Sequence, residues 1–101
     1  MGIRSGGHSW AANHVRDGGL LLDVSRLDSC VVDVPAMTAV VGPGKGGSVL
    51  AVELAERGGL FFPPAGHCRG VAVGGYLLQG GYGWNSRVVG PACESVLAWR
   101  W

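Results

Sequence analysis

The stretch Arg4-Ser5-Gly6-Gly7-His8-Ser9-Trp10 and a distant counterpart, Pro64-Ala65-Gly66-His67-Cys68-Arg69-Gly70-Val71-Ala72-Val73-Gly74-Gly75, carry the reading of this chain. Each sets a reactive side chain beside glycines. Without a Cβ, Gly6 and Gly7 reach positive φ, so the backbone there can curl into a concave loop whose successive N–H groups point at an anion. His8 stands at the lip of that loop, and Cys68 holds a comparable place in the second stretch. A phosphate-bearing cofactor with a ring near the loop would meet the imidazole and, where the two stretches fold together, the thiol.

Outward from these stretches, the pattern predicts short strands and one clear helix. Residues 1 to 9 read as the end of a strand running into the glycine loop, followed by a polar loop as far as Gly18-Gly19. Leu20-Leu21-Leu22-Asp23-Val24 predicts a mostly buried strand, with Leu27 packed just after it. The β-branched runs Cys30 to Val34 and Thr38 to Gly42 predict an antiparallel hairpin. Ser48 is the expected N-cap of a helix from Val49 to Arg57, with Val49, Val52 and Ala55 on one apolar face and Leu50 and Leu54 nearby. Glu53 and Arg57 form a favourable i,i+4 pair, and Gly58-Gly59 stops the helix. Leu60-Phe61-Phe62 reads as a strand broken by Pro63-Pro64. Val71 to Gln79 is a short helix or strand, and Val96 to Trp101 a closing strand. The expected class is α+β.

Composition narrows the function. At 101 residues, with 48% apolar and 15% charged residues, the chain is one unit with a thin polar surface that leans on a cofactor or partner. Eight basic and seven acidic residues, a net charge of +1, form no run able to neutralise several phosphates, so nucleic acid is excluded as a partner. Cys30, Cys68 and Cys93 are odd in number and lack CxxC spacing, which argues against a disulfide framework and a zinc site. There is no apolar leader and no run long enough to span a membrane, which leaves the compartment open with the cytoplasm as the expectation.

One motif is a decoy. Gly42-Pro43-Gly44-Lys45-Gly46-Gly47 satisfies G-x-G-x-x-G between a strand and a helix, yet no acidic residue follows at the distance where a dinucleotide's ribose would need one. Lys45 is followed by Gly46, so it is no P-loop either. The plainer reading is a tight hairpin-to-helix turn. Taken alone, His8 reads as a surface histidine and Cys68 as a small apolar residue, but each follows glycines on a segment unsuited to core packing. His67, beside Cys68, is placed to lower the thiol's pKa. Cys30 and Cys93 are assigned to packing. Trp10, Trp84, Trp99 and Trp101 are likewise assigned to packing, in the core or on a face that meets another domain, with Trp84 the alternative lining for a planar ligand.

These residues resemble the flavin-binding domain of FAD-linked oxidases: the vanillyl-alcohol oxidase superfamily with its PCMH-type domain, and its berberine bridge enzyme-like branch. Arg4-Ser5-Gly6-Gly7-His8-Ser9 matches that family's pyrophosphate loop and flavin-linked histidine. Gly66-His67-Cys68, then Val73-Gly74-Gly75 and Leu78-Gln79-Gly80-Gly81-Tyr82-Gly83-Trp84, match its second flavin segment; Arg87, Gly90 and Ala92 continue the pattern. The resemblance implies a bicovalent FAD, with His8 on the flavin 8α-methyl carbon and Cys68 on C6. It implies that Arg4, Ser5, Gly6, Gly7, Ser9, Gly66, His67, Val73, Gly74, Gly75, Gly80, Gly81 and Gly83 also bind the cofactor, and that no metal is involved. It implies hydride transfer from a CH–OH or CH–NH donor, such as a sugar or an alkaloid, to flavin, with dioxygen as the final acceptor. Residues 1–101 would then be a partial PCMH-type FAD-binding domain, truncated at both ends and without its substrate domain or general base. The rival expectation is a truncated, non-catalytic module that binds a phosphate ligand or a protein through its glycine loops and aromatic face.

Overall fold

β-branched runs separated by glycine and proline breaks become short strands, and the Leu50/Leu54 stripe becomes the main helix. The structure, a computed structural model, describes residues 1–62, 66 and 68–100. In chain order the strands are β1 (Gly2–Arg4), β2 (Leu21–Asp23), β3 (Cys30–Asp33) and β4 (Thr38–Val41). They are followed by the helices α1 (Gly47–Gly58), α2 (Val73–Leu78) and α3 (Ser86–Val89), and by a 3₁₀ turn at Ala92–Ser95. The α+β class holds. β1 and β2 pair in parallel, Gly2 opposite Leu21 and Arg4 opposite Asp23, while β3 and β4 form the expected antiparallel hairpin with Cys30 opposite Val41.

The core lies where the hairpin, α1 and α2 meet. Leu50 and Leu54, one helical turn apart, pack with Val73, backed by Cys30, Val32, Val41, Leu60, Phe62 and Leu77. Cys30 and Val32 both face inward because alternate residues of a strand share a face. That seam orients α1 and leaves Val49 and Val52 about half exposed, which corrects the face expected from the sequence. The helix also starts earlier than expected. Its cap is Gly46, with no side-chain bond, because Gly46 bridges Ala72 and the Gly47 N–H reaches Val71 O at 2.9 Å. Ser48 Oγ instead contacts Arg69 O at 3.4 Å. The end follows expectation: Gly59 adopts φ +62°, which only glycine tolerates without strain, and closes the helix with a bond to Ala55 O.

Four other expectations are corrected. β2 is a strand but not a buried one, since β1 is its strand neighbour and Leu21 and Leu22 keep 48% and 46% of their surface. Leu27 is exposed, because the chain turns at Val24–Leu27 instead of folding back under the strand. Leu60 to Phe62 packs against the core without strand pairing, and Pro63 and Pro64 lie outside the described residues. Val96 to Arg100 is not a strand, and Trp101 lies outside the described residues. Of the two places expected for the tryptophans, the core is not the one taken by Trp10, Trp84 and Trp99, which are 99%, 78% and 50% exposed. Among the described residues no helix is long and apolar enough to cross a membrane.

Candidate functional site

The first glycine loop begins where β1 ends. Parallel pairing sets Arg4 opposite Asp23, and their side chains form an ion pair at 2.6 Å. Hydrogen bonds from Ser25, then from Arg4, pull the Asp23 carboxyl down to about 2. The Arg4 side chain lies against Gly7, at φ +69°, where a Cβ would sit 2.9 Å from Nε. Glycine suits that backbone conformation, and a Cβ there would also make the Arg4 side chain shift. Beyond Arg4 the backbone leaves the sheet and its donors go unspent: among the described residues, none of the N–H groups of Ser5, Gly6, Gly7, His8 and Ser9 finds an acceptor within the chain. Such a row of neutral donors is an anion cradle.

The second stretch lies alongside it. A Cβ on Gly6 would come within 2.8 Å of Ala72 N and 2.9 Å of Gly70 O, and one on Gly70 within 3.0 Å of His8 Nε2. The exposed His8 imidazole therefore lies beside Gly70, two residues from the exposed Cys68. Gly66 and Cys68 border a shallow apolar hollow with Leu50, Phe62, Val73 and Tyr76. Burial pushes the Tyr76 phenol up. His67, and with it the expected effect on the Cys68 thiol, lies outside the described residues.

Not every residue of the second stretch shows a donor toward the cradle. Val73 is a core residue, its N–H given to Lys45 O, and the Gly74 N–H is given to Pro43 O at 3.0 Å. Gly75 is exposed, with nothing within 4 Å of a Cβ position. Gly80 and Gly81 seat the 3₁₀ turn, their carbonyls accepting from Cys93 and Ala92 at 2.8 Å, and the Gly83 N–H is spent on Ser86 Oγ.

Sequence reasoning missed the layer beneath. Lys45 is only 7% exposed and its ammonium meets Glu53 at 2.7 Å, which holds the Glu53 carboxyl below the usual carboxylate range. Arg57 stands farther off, at 3.8 Å, so the expected i,i+4 pair is the weaker partner. Burial, then the neighbouring Glu53, pushes the Cys30 thiol up, so it is an inert packing residue as expected. The Lys45–Glu53 pairing carried one signal in the sequence, a lone lysine in a glycine turn ahead of an acidic helix. The Arg4–Asp23 pair carried none without the strand register. Among the described residues no cluster of His, Cys, Asp and Glu is able to hold a metal ion.

Five backbone N–H groups with no acceptor among the described residues suit a pyrophosphate, and the FAD expected from the sequence fits these residues. Comparison with known proteins agrees. An FAD-linked oxidoreductase, nodO, of Hypoxylon pulicicidum is 38% identical over 96 residues, covering 95% of this chain and 21% of that protein. Berberine bridge enzyme-like 24 of Arabidopsis thaliana is 37% identical over 99 residues, covering 94% of this chain and 18% of its own length. A solved xylooligosaccharide oxidase from Myceliophthora thermophila C1, in complex with xylobiose, superimposes with a TM-score of 0.78 at 34% identity, over 92% of this chain and 20% of that one. The chain thus spans about a fifth of the length of these relatives. The pattern of one family, described as FAD binding domain, runs through residues 2–101, and the chain belongs to that family.

Proposed function

We propose that this chain is the cofactor-holding part of an FAD-dependent oxidase, with the flavin attached to both His8 and Cys68. The observation that carries the reading is the row of unspent N–H groups from Ser5 to Ser9 lying against Gly70 and Ala72. A pyrophosphate in the first loop then has the second flavin stretch as its immediate neighbour. Five backbone donors hold the diphosphate without a fixed positive charge, because the Arg4 guanidinium is already balanced by Asp23. Gly6 and Gly7 keep the cradle open. Gly66, Gly74, Gly75, Gly80, Gly81 and Gly83 are assigned to the second flavin segment on the family resemblance, as is His67, with Val73 bracing that segment from the core. When bound, FAD supplies the acceptor for a hydride from a CH–OH or CH–NH donor, with dioxygen as the final electron acceptor. Bonds through His8 and Cys68 would hold the ring in one orientation whatever its redox state. The similarity to a xylooligosaccharide oxidase favours a sugar hydroxyl as the donor. The general base and the substrate site are assigned to polypeptide outside these residues, which form one partial PCMH-type domain.

Acid precipitation of the holoprotein tests the covalent assignment. Flavin is expected to stay in the pellet; flavin released to the supernatant overturns it. Cys68→Ala should leave one link, and the double variant with His8→Ala none. Covalent flavin retained by the double variant would show that other residues carry it. A holoprotein isolated without flavin would overturn the FAD reading itself.

A further inference from the structure

The decoy turn, Gly42 to Gly47, binds nothing by its own sequence logic, yet both walls of the cradle are fastened to it. The Pro43 carbonyl accepts two hydrogen bonds, from Ser5 Oγ of the first loop at 2.7 Å and from Gly74 N of the second stretch at 3.0 Å. One oxygen with two lone pairs thus joins segments far apart in sequence. Next to it, Lys45 O accepts from Val73 N and Gly47 N donates to Val71 O, both at 2.9 Å.

The turn itself is held by contacts independent of either wall. Gly44 N is bonded to Leu27 O at 2.9 Å, and the Gly44 Cα packs so closely on the carbonyls of Val24 and Ser25 that no Cβ fits. The Lys45 side chain is buried and tied to Glu53 of α1 at 2.7 Å. The Ser5 hydroxyl is spent on Pro43, which leaves its N–H, not its side chain, to face a ligand.

We propose that Ser5 is a positioning residue whose hydroxyl, through the Pro43 carbonyl, sets the first glycine loop in register with the second stretch, so that His8 and the pyrophosphate donors stand at a fixed distance from Gly70 and Ala72. For its ligand this rests on the FAD reading above; for its geometry it does not. Loss of the hydroxyl frees the loop to shift along Gly70 and Ala72 while leaving all five N–H donors chemically intact. The register has a direct reporter, since the His8 ring lies against Gly70.

The test compares Ser5→Ala and Ser5→Thr with the wild type in the full chain. Two readouts are used: the nuclear Overhauser effect between the His8 ring and the Gly70 Hα without ligand, and the dissociation constant of ADP, the diphosphate-bearing half of FAD that forms no covalent link, by isothermal titration calorimetry. Ser5→Ala should abolish or strongly weaken the Overhauser contact and raise the dissociation constant about five- to tenfold, the scale of one neutral hydrogen bond. Ser5→Thr, which keeps a hydroxyl, should return both to wild-type values. An unchanged contact in Ser5→Ala, or no recovery in Ser5→Thr, overturns the clamp. A lost contact with unchanged ADP affinity overturns the positioning role. A wild-type chain that takes up no FAD overturns the FAD reading, and the Overhauser contact still decides the clamp.

Discussion

Two glycine-rich loops, Ser5 to Ser9 and Gly42 to Gly47, differ in one respect that decides what each can do. In the second, the N–H groups of Gly42, Gly44, Lys45 and Gly47 all find carbonyls, those of Ser29, Leu27, Gly42 and Val71. In the first, none does among the described residues. The glycines serve different ends accordingly. Gly42 and Gly44 let a paired turn pack against neighbouring backbone, whereas Gly6, itself packed on Ala72 and Gly70, and Gly7, at φ +69°, stand beside unspent donors. Glycine spacing does not make an anion site. Unpaired N–H groups aimed at one place do, since an anion recovers there the hydrogen bonds that folding did not supply.

Substitutions in the two loops should therefore separate stability from binding, and the largest effect is expected in the turn. Gly44→Val drives a side chain into the carbonyls of Val24 and Ser25, and should cost about 3 kcal/mol or more, read as loss of a cooperative thermal transition. Retention of a normal melting curve would mean that the turn is looser than its packing indicates. Gly6→Ala presses its methyl on Ala72 N and Gly70 O, and should cost about 1–3 kcal/mol while also abolishing FAD uptake. Uptake that survives would move the pyrophosphate elsewhere.

A smaller effect is expected from the ion pair under the first loop. The Asp23 carboxyl lies at about 2 in the folded chain against 3.8 ordinarily, so its contribution is complete above about pH 4 and is lost as the pH falls toward 2. Asp23→Asn should flatten the stability profile across that window and leave it unchanged at pH 7 in slope, as followed by urea unfolding at several pH values. An unaltered acid limb would assign it to other carboxylates, Glu53 first. The smallest effect is of opposite sign. Gly75→Ala, on an exposed helical position with nothing within 4 Å, should stabilise the chain by about 0.5–1 kcal/mol through helix propensity. If Gly75 also faces the cofactor, FAD affinity falls as stability rises; equal affinity would restrict Gly75 to the helix.

Much of the fold was legible because it follows from local chemistry. The hairpin came from β-branched runs around Pro35-Ala36-Met37, and the end of α1 from Gly59, whose left-handed φ the sequence could anticipate. The misses share a cause. The cap of α1 fell on Gly46 instead of Ser48 because a bond from Gly47 to Val71 chose the first turn, and the buried face of α1 was selected by Val73, remote in sequence. The expected burial of Leu20 to Val24 assumed a layer that the described residues do not supply.

By itself the sequence determined which segments set glycines beside reactive side chains, and with them membership of the FAD binding domain family. Glycine at positions 6 and 7 and the side chains of His8 and Cys68 are local properties, and local chemistry survives without coordinates. Only the tertiary structure decided that Gly6 rests on Gly70 and Ala72, that Arg4 is neutralised by Asp23, and that Pro43 holds both walls at once. Those contacts join residues 19 to 66 positions apart, and no periodicity or motif specifies a partner at such a distance. It is set by the packing of α1 on the hairpin, which carries the Pro43 turn to the place where the two glycine stretches meet.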